Sequence, residues 1–289
     1  MTVPLYEMDD DGSIKPNLLF HRSWDKLHSR CIEYPFAAAQ LDIETASISP
    51  ESPRAIDAVF SLLDVGTVKA DQVWIDWLEQ LPFNVHATDY DAPERPFANL
   101  QFHQADVRQL DIADNSIDLV LAVSVIEHIG LPDPQVNAAT LPSMDSDGDV
   151  AAVRELTRVL KPGGKLVMTF PFGTTDELIL GQSARSYTSA TLHRFEAVIQ
   201  PVQLDYYEYQ FSKYLDIYHE YPAPQAITPR RVANALANRL LQRTVARERV
   251  TRLPDLPGGV TWRKRPLSAA KATQHKHVDG IVCGVWQKT

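Results

Sequence analysis

The sequence predicts an α/β protein built on an open, doubly wound, mostly parallel sheet, and three observations carry that prediction. Short apolar runs near residues 58, 84, 118 and 165 recur with helical or mixed connections between them, the pattern of consecutive βαβ units. The run Leu119-Val120-Leu121-Ala122-Val123 is continuously apolar, as a strand covered on both faces is. The runs end on polar or backbone-permissive residues: Asp64 and Gly66, Asp89, Ser124 to His128, and Pro171 to Gly173. In open α/β sheets that carboxyl edge is where ligands sit.

Residues 1–53 read as an arm and an amphipathic helical lid or packing segment, because Leu18, Leu19, Trp24, Leu27, Cys31 and Ile32 recur at spacings near three and four. The cluster Ser47 to Pro53 breaks any helix, which places the start of the main domain at residue 54. The text AVFSLLDVG, Ala58 to Gly66, is then a strand and turn. Val73, Trp74, Trp77, Leu78 and Leu81 share one face of the helix that follows. A second strand, NVHATDYD, carries Asp89, and the polar stretch 92–104 leads to HQADVRQL.

The central text DLVLAVSVIEHIG, Asp118 to Gly130, turns abruptly from apolar to polar at Ser124 and brings Glu127 and His128 to the strand end. Leu131 to Asp149 is rich in turn formers, and a loop of that length inside a compact domain is usually functional. Val153, Leu156, Val159 and Leu160 line a helix that Pro162-Gly163-Gly164 stops, and GKLVMTFPFG is the next buried strand. A helix over 189–199, the β-prone VQLDYYEYQF and a last strand GIVCGVWQK complete the regular elements. Residues 221–275 form a basic insertion before that last strand, with a helix opened by Thr228-Pro229 and followed by loop through LPDLPGGVTWRKRP.

Composition narrows the function classes. The 289 residues are 44% hydrophobic, enough for a sizeable core. No apolar run is long enough to span a bilayer and the amino terminus is acidic, so a soluble, cytoplasmic protein without stable membrane insertion is expected. The net charge of -9 divides unevenly. Residues 1–228 hold 15 Lys and Arg against 34 Asp and Glu, whereas residues 229–289 hold 13 against 3. The acidic body argues against nucleic-acid binding, and the basic segment is expected to dock on it. Cys31 and Cys283 have no metal-ligand spacing, so neither a metal nor a disulfide is expected.

The residues at the carboxyl edge suit a nucleoside. Gly66 lets backbone approach a ligand closely, Asp89 is placed to accept from ribose hydroxyls, and Asp106 with the Val107 amide matches the edge of a purine. The stretches LLDVG, VHATDYD, QADVRQLDIADNSIDLVLAVSVIEHIG and RELTRVLKPGGKLVMTFPFG resemble the class I S-adenosylmethionine-dependent methyltransferases over about 110 residues, Ala58 to Gly173. S-x-I-E-H-x-G, the later Gly148-Asp149, Arg185 to Tyr187, and R-x-I-E-Y-P from Arg30 to Pro35 resemble a bacterial subgroup that tailors sugars or natural products.

The resemblance implies a Rossmann-like, seven-stranded sheet, a methyltransferase domain over 54–289, and S-adenosylmethionine as cofactor with S-adenosylhomocysteine as product. It implies that Asp64, Gly66 and Thr67 face the methionine end, Asp89 and Tyr90 the ribose, Asp106 and Val107 the adenine, and that Ser124 lies beneath the sulfonium. His128 is the candidate base with Glu127 beside it, and Arg185 and Tyr187 are candidates for holding a small-molecule acceptor at an oxygen or nitrogen. Each has a plainer role: the aspartates as turn caps, Glu127 as a supporting or capping residue, His128 as hydrogen-bonded structure, Arg185 and Tyr187 as packing. The turn DVGTVKA carries one glycine where the family carries two or three, which keeps a noncatalytic relative of the fold as the alternative. The absence of GxGxxG after the first strand argues against a nicotinamide enzyme.

Overall fold

The computed structural model describes residues 5–20, 28–47, 60–132, 145–210, 261–271, 278 and 280–289. Its elements are α1 (Arg30–Ser47), β1 (Ser61–Val65), α2 (Gln72–Leu78), β2 (Asn84–Asp89), β3 (Gln101–Gln104), β4 (Ile117–Val123), α3 (Gly148–Val159), β5 (Leu160–Pro171), β6 (Glu177–Ile179), β7 (Ala184–Ser186), α4 (Ser189–Glu196), β8 (Gln200–Gln210), β9 (Thr261–Arg265) and β10 (Gly280–Gln287).

The main sheet has eight strands in the order β3-β2-β1-β4-β5-β10-β8-β9, where seven were expected. The half from β3 to β5 is parallel, and β10, β8 and β9 pair antiparallel. The chain leaves β1 in one direction for β2 and β3, then crosses to β4 on the other side. The carboxyl ends of β1 and β4 therefore flank the switch point of the sheet, where open α/β sheets bind ligands.

Two layers of helix close the faces. On one side Ile32, Phe36 and Leu41 of α1, with Trp74 and Leu78 of α2, pack with Leu62, Leu119 and Leu121. On the other, Val153 and Leu156 of α3 and Leu192 and Phe195 of α4 join Leu63, Val120, Ala122 and Met168. The alternation of Leu119 and Leu121 against Val120 and Ala122 is the strand period dividing one apolar run between two cores. Each such side chain contributes about 1.5–3 kcal/mol when fully buried.

Of the two readings of the amino-terminal helix, the packing segment matches α1. Residues 31–41 are buried throughout, so this segment belongs to the same core as the strands and the expected boundary at residue 54 does not separate it. Pro35 lies inside α1 and has no N–H for the Cys31 carbonyl. The Asn17 amide donates to that carbonyl at 2.8 Å, which ties the amino-terminal arm to the helix.

Residues 133–144, most of the expected long loop, and residues 211–260, with the expected basic helix, lie outside the described residues. Within the described part of the basic segment, TWRKR is the strand β9 where loop was expected. It docks on the acidic body: Lys264 meets Asp205 at 2.8 Å, Arg265 lies 3.8 Å from Glu208, and Lys271 also pairs with Glu208. Both cysteines are buried and free. Among the described residues no cluster of three or more candidate metal ligands occurs, and no helix is long and apolar enough to cross a membrane.

Candidate functional site

The turn after β1 is built from the inside outward. Asp64 is 2% exposed, and its two oxygens accept from the Thr67 hydroxyl at 2.7 Å and the Trp74 indole N–H at 3.1 Å. Burial pushes its carboxyl up to about 7, because both donors are neutral and offset only part of the lost hydration. Gly66 follows with φ +82 and donates its amide to the Thr88 carbonyl at 2.8 Å. A Cβ at this position would lie 2.5 Å from Val125 Cγ2, so the backbone conformation and the packing both require glycine. That contact joins the end of β1 to the turn after β4.

Asp89 closes the same turn from β2. One oxygen accepts from the Val68 amide at 2.9 Å and the other from the Asp91 amide at 3.0 Å. A carboxylate has about four lone-pair sites, so each oxygen retains capacity for a hydroxyl. Burial raises the Asp89 carboxyl above its ordinary range. Lys69 reaches Asp91 at 2.9 Å, which draws its ammonium toward an acidic partner. Tyr90 is exposed, Thr67 is buried beneath the turn, and Val107 is buried. Asp106 accepts from Arg108 through both oxygens, at 3.0 to 3.1 Å from Nε and 2.6 Å from Nη2, and this contact holds its carboxyl below the ordinary range against a desolvation that acts the other way.

At the end of β4 the backbone turns sharply. Ser124 has φ +50, a left-handed conformation that costs a non-glycine residue of order 1 kcal/mol. Its amide donates to the carbonyl and the hydroxyl of Thr169 on β5, each at 3.0 Å, and its hydroxyl donates to Glu127 Oε1 at 2.5 Å. Glu127 is 1% exposed and its Oε2 is buried without a hydrogen-bond partner. Burial raises its carboxyl, outweighing the Ser124 hydrogen bond and the nearby His128.

His128 stands at the surface of the same turn, with 43% of its side chain exposed. Its Nδ1 lies 2.6 Å from the Ser183 carbonyl. A carbonyl only accepts, so this contact assigns the proton to Nδ1 and leaves the lone pair of the neutral ring on Nε2. Nε2 is 3.9 Å from Glu127 Oε1. The carbonyl comes from the tip of the β6–β7 hairpin, where Leu180, Gly181 and Gln182 are left-handed in succession.

A group from α1 reaches the same place, and sequence reasoning did not count it among the site residues. Arg30 places Nη1 2.5 Å from Glu33 Oε2 and Nη2 3.5 Å from the Ser124 carbonyl, and Glu33 Oε1 accepts from the Thr169 hydroxyl at 3.0 Å. Tyr34 stacks on Trp74 at 4.5 Å, and the Arg30 guanidinium lies 5.6 Å from the Tyr34 ring centre. The signal was the phrase R-x-I-E-Y-P, in which Arg30 and Glu33 reach Ser124 and Thr169 at the sheet edge and Tyr34 packs on α2.

Arg185 and Tyr187 are brought near this turn but engage the protein. Arg185 donates to the carbonyls of Glu127, Ile129, Asp145 and Ser146 at 2.7 to 3.3 Å. The Tyr187 hydroxyl donates to Asp149 at 2.9 Å, and both side chains are buried. Gly130 and Gly148 meet backbone to backbone: a Cβ on Gly148 would lie 2.8 Å from Gly130 Cα. These contacts hold residues 127–130 against residues 145–149.

The comparison with known families falls on this edge of the sheet. Residues 63–168 match the family model described as a methyltransferase domain. The matched span runs from within β1 to within β5, so it contains Asp64, Gly66, Asp89, Asp106, Ser124, Glu127 and His128 and leaves out Arg30. A curated relative, the ubiquinone/menaquinone biosynthesis C-methyltransferase UbiE of Bdellovibrio bacteriovorus, is 32% identical over 111 residues. That alignment covers 38% of this chain and 39% of the relative, so the chain spans about two fifths of the length of the curated protein it matches. Among solved structures, the [4+2]-cyclase SpnF aligns over 88% of this chain and 82% of its own at 16% identity and a TM-score of 0.43. The Burkholderia thailandensis 1,6-didemethyltoxoflavin-N1-methyltransferase, solved with 1,6-didemethyltoxoflavin and S-adenosylhomocysteine, aligns over 89% and 78% at 13% identity and a TM-score of 0.45.

Proposed function

We propose that this chain is an S-adenosylmethionine-dependent methyltransferase acting on an oxygen or nitrogen of a small sugar-like or secondary-metabolite acceptor. The observation that carries the reading is the convergence at the switch point of the glycine turn, the incompletely used Asp89 carboxylate and the Glu127-His128 pair, inside the span that matches a methyltransferase domain. The donor set fits the cofactor: Asp89 has capacity for two ribose hydroxyls, and Gly66 presents backbone without a side chain. When bound, S-adenosylmethionine supplies a methyl group on a sulfonium, activated for attack.

The residues of the chain do the rest. Asp89 orients the ribose, and Ser124, fixed by Thr169 and Glu127, forms the floor next to the methionine end. Asp64 holds the turn through Thr67 and Trp74, a scaffold role in place of direct contact. Asp106 and Val107 border the adenine, with Arg108 setting the direction of the Asp106 carboxylate. His128 takes a proton from the attacking acceptor atom at Nε2, while the Ser183 carbonyl holds Nδ1–H and the Glu127 carboxylate stabilises the imidazolium. Arg185 and Tyr187 brace the turn after β4 by holding residues 127–129 to residues 145–149, a positioning role in place of direct contact with the acceptor.

A carbon acceptor is the second reading, favoured by the relative from Bdellovibrio being a C-methyltransferase. Incubation with methyl-labelled S-adenosylmethionine and an acceptor panel, followed by mass and NMR analysis of the product, tests both. Label on oxygen or nitrogen supports the first reading, and label on carbon replaces it with the second. A chain that binds no cofactor would support the noncatalytic alternative.

A further inference from the structure

We propose that Arg108 determines nucleobase specificity by occupying the Asp106 carboxylate, so that the chain binds a purine nucleoside without reading the substituent at position 6 of the base. This rests on the reading of the edge formed by β1, β2 and β4 as the cofactor site. The two aspartates of that edge differ in how much of their capacity is used. Asp89 accepts one amide on each oxygen, from Val68 and from Asp91, and keeps room for hydroxyls. Asp106 keeps none. Its Oδ1 accepts from the Arg108 amide at 2.9 Å and from Arg108 Nε at 3.0 Å, and its Oδ2 accepts from the same Nε at 3.1 Å and from Nη2 at 2.6 Å. Those four contacts fill a carboxylate, which has about four lone-pair sites, and leave no place for an exocyclic amine.

Charge decides the competition for those sites. The exocyclic amine of a purine is a neutral donor, whereas a guanidinium on a carboxylate makes charge-assisted bonds that are roughly twice as strong. The amine could reach Asp106 only by displacing the stronger partner. The guanidinium is also held from its far side: Nη1 lies 3.6 Å from Asp145 Oδ2, and the Asp145 amide donates to the Gly130 carbonyl at 3.0 Å. On the other side the Gln109 amide donates to the Asp106 carbonyl at 2.8 Å, which fixes the backbone beneath the carboxylate. The side chains of Arg108 and Asp106 are 15% and 28% exposed, so salt and solvent screen this pair less than a pair on an open surface. Arg108 brings only donors to this place, and an amine needs an acceptor. Recognition of the nucleoside then falls to the ribose hydroxyls at Asp89.

Calorimetric titration of the full chain with S-adenosylhomocysteine, and with its analogue carrying hydrogen in place of the exocyclic amine, tests the assignment. The analogue keeps every ring nitrogen, so the ratio of the two dissociation constants reads the amine alone. Wild type is expected to prefer S-adenosylhomocysteine by less than about 3-fold. Arg108→Leu keeps an apolar side chain of similar reach and frees the carboxylate, and its preference is expected to rise to about 10-fold or more. Adding Asp106→Ala to Arg108→Leu is expected to return the preference to the wild-type value, which shows that the gained discrimination passes through Asp106. Because each preference is a ratio within one protein, partial loss of folded chain cancels. A wild-type preference above about 3-fold overturns the proposal, as does an Arg108→Leu preference that stays at the wild-type value or one that survives the loss of Asp106. Saturable binding of both ligands with any of these ratios leaves the cofactor reading standing. If wild type binds neither ligand, the cofactor reading falls and the role of Arg108 falls with it.

Discussion

Asp64→Asn offers a direct reading of how much the turn after β1 depends on a buried carboxyl. The native carboxyl titrates near 7 against an ordinary 3.8. Between those values the folded chain binds a proton that the unfolded chain has already released. Stability therefore falls as pH rises through this window, with a slope approaching about 1.4 kcal/mol per pH unit, and levels off above it. The full span amounts to at most about 4 kcal/mol. In Asp64→Asn the amide oxygen still accepts from Trp74 Nε1 and the amide N–H2 donates to the Thr67 hydroxyl, so both contacts survive without a charge. Urea unfolding of both proteins from about pH 4 to about pH 8 measures the difference directly. The variant gains on the wild type as pH rises, by about 2 kcal/mol or more across the window, and the difference stops growing above neutrality. Glu127 contributes a slope of the same sign, but it is common to both proteins and cancels in the comparison. Parallel stability curves would refute the assignment of a raised, buried carboxyl to Asp64.

Three further substitutions probe other parts of the site. Gly66→Ala is expected to cost about 1 kcal/mol for the left-handed backbone and about 1–3 kcal/mol more for overlap with Val125. Adding Val125→Ala recovers the overlap part, and chemical denaturation of the single and double variants reads both. His128→Ala is expected to lower turnover by about 10²-fold or more while the dissociation constant for S-adenosylhomocysteine changes by less than about 2-fold, since Nε2 serves the acceptor and not the cofactor. Arg185→Met leaves the carbonyls of residues 127, 129, 145 and 146 without their donor, and guanidinium unfolding is expected to show a loss of about 3 kcal/mol or more.

The parallel half of the sheet was legible because β1, β4 and β5 are apolar runs buried on both faces, which sequence alone marks clearly. The two edge strands of the sheet, β3 and β9, were not. QFHQ, the edge strand β3, is polar and half exposed, and its pairing is set by the register of His86 with Gln101 and Thr88 with His103. TWRKR reads as loop for a similar reason: its charges point to solvent and to Asp205 and Glu208, a tertiary complement that no local pattern carries. The site shows the same division. Asp89 and Ser124 were singled out by their position at strand ends, whereas the Thr67 and Trp74 contacts of Asp64 depend on how α2 packs back across the turn. Arg30 and Glu33 were quoted in a motif, yet their meaning needed Thr169 from a strand more than a hundred residues away. Arg185 looked like a ligand-gripping arginine until the burial of β7 placed four carbonyls around it.

The central claim is that the edge formed by β1, β2 and β4 binds the methyl donor. Calorimetric titration of the full chain with S-adenosylhomocysteine tests it most directly, with Asp89→Ala as the paired variant. Saturable one-to-one binding by the wild type is expected, weakened about 10-fold or more in the variant through loss of the ribose contacts. A wild-type titration without heat and without a thermal shift, or an affinity that Asp89→Ala leaves unchanged, would contradict it.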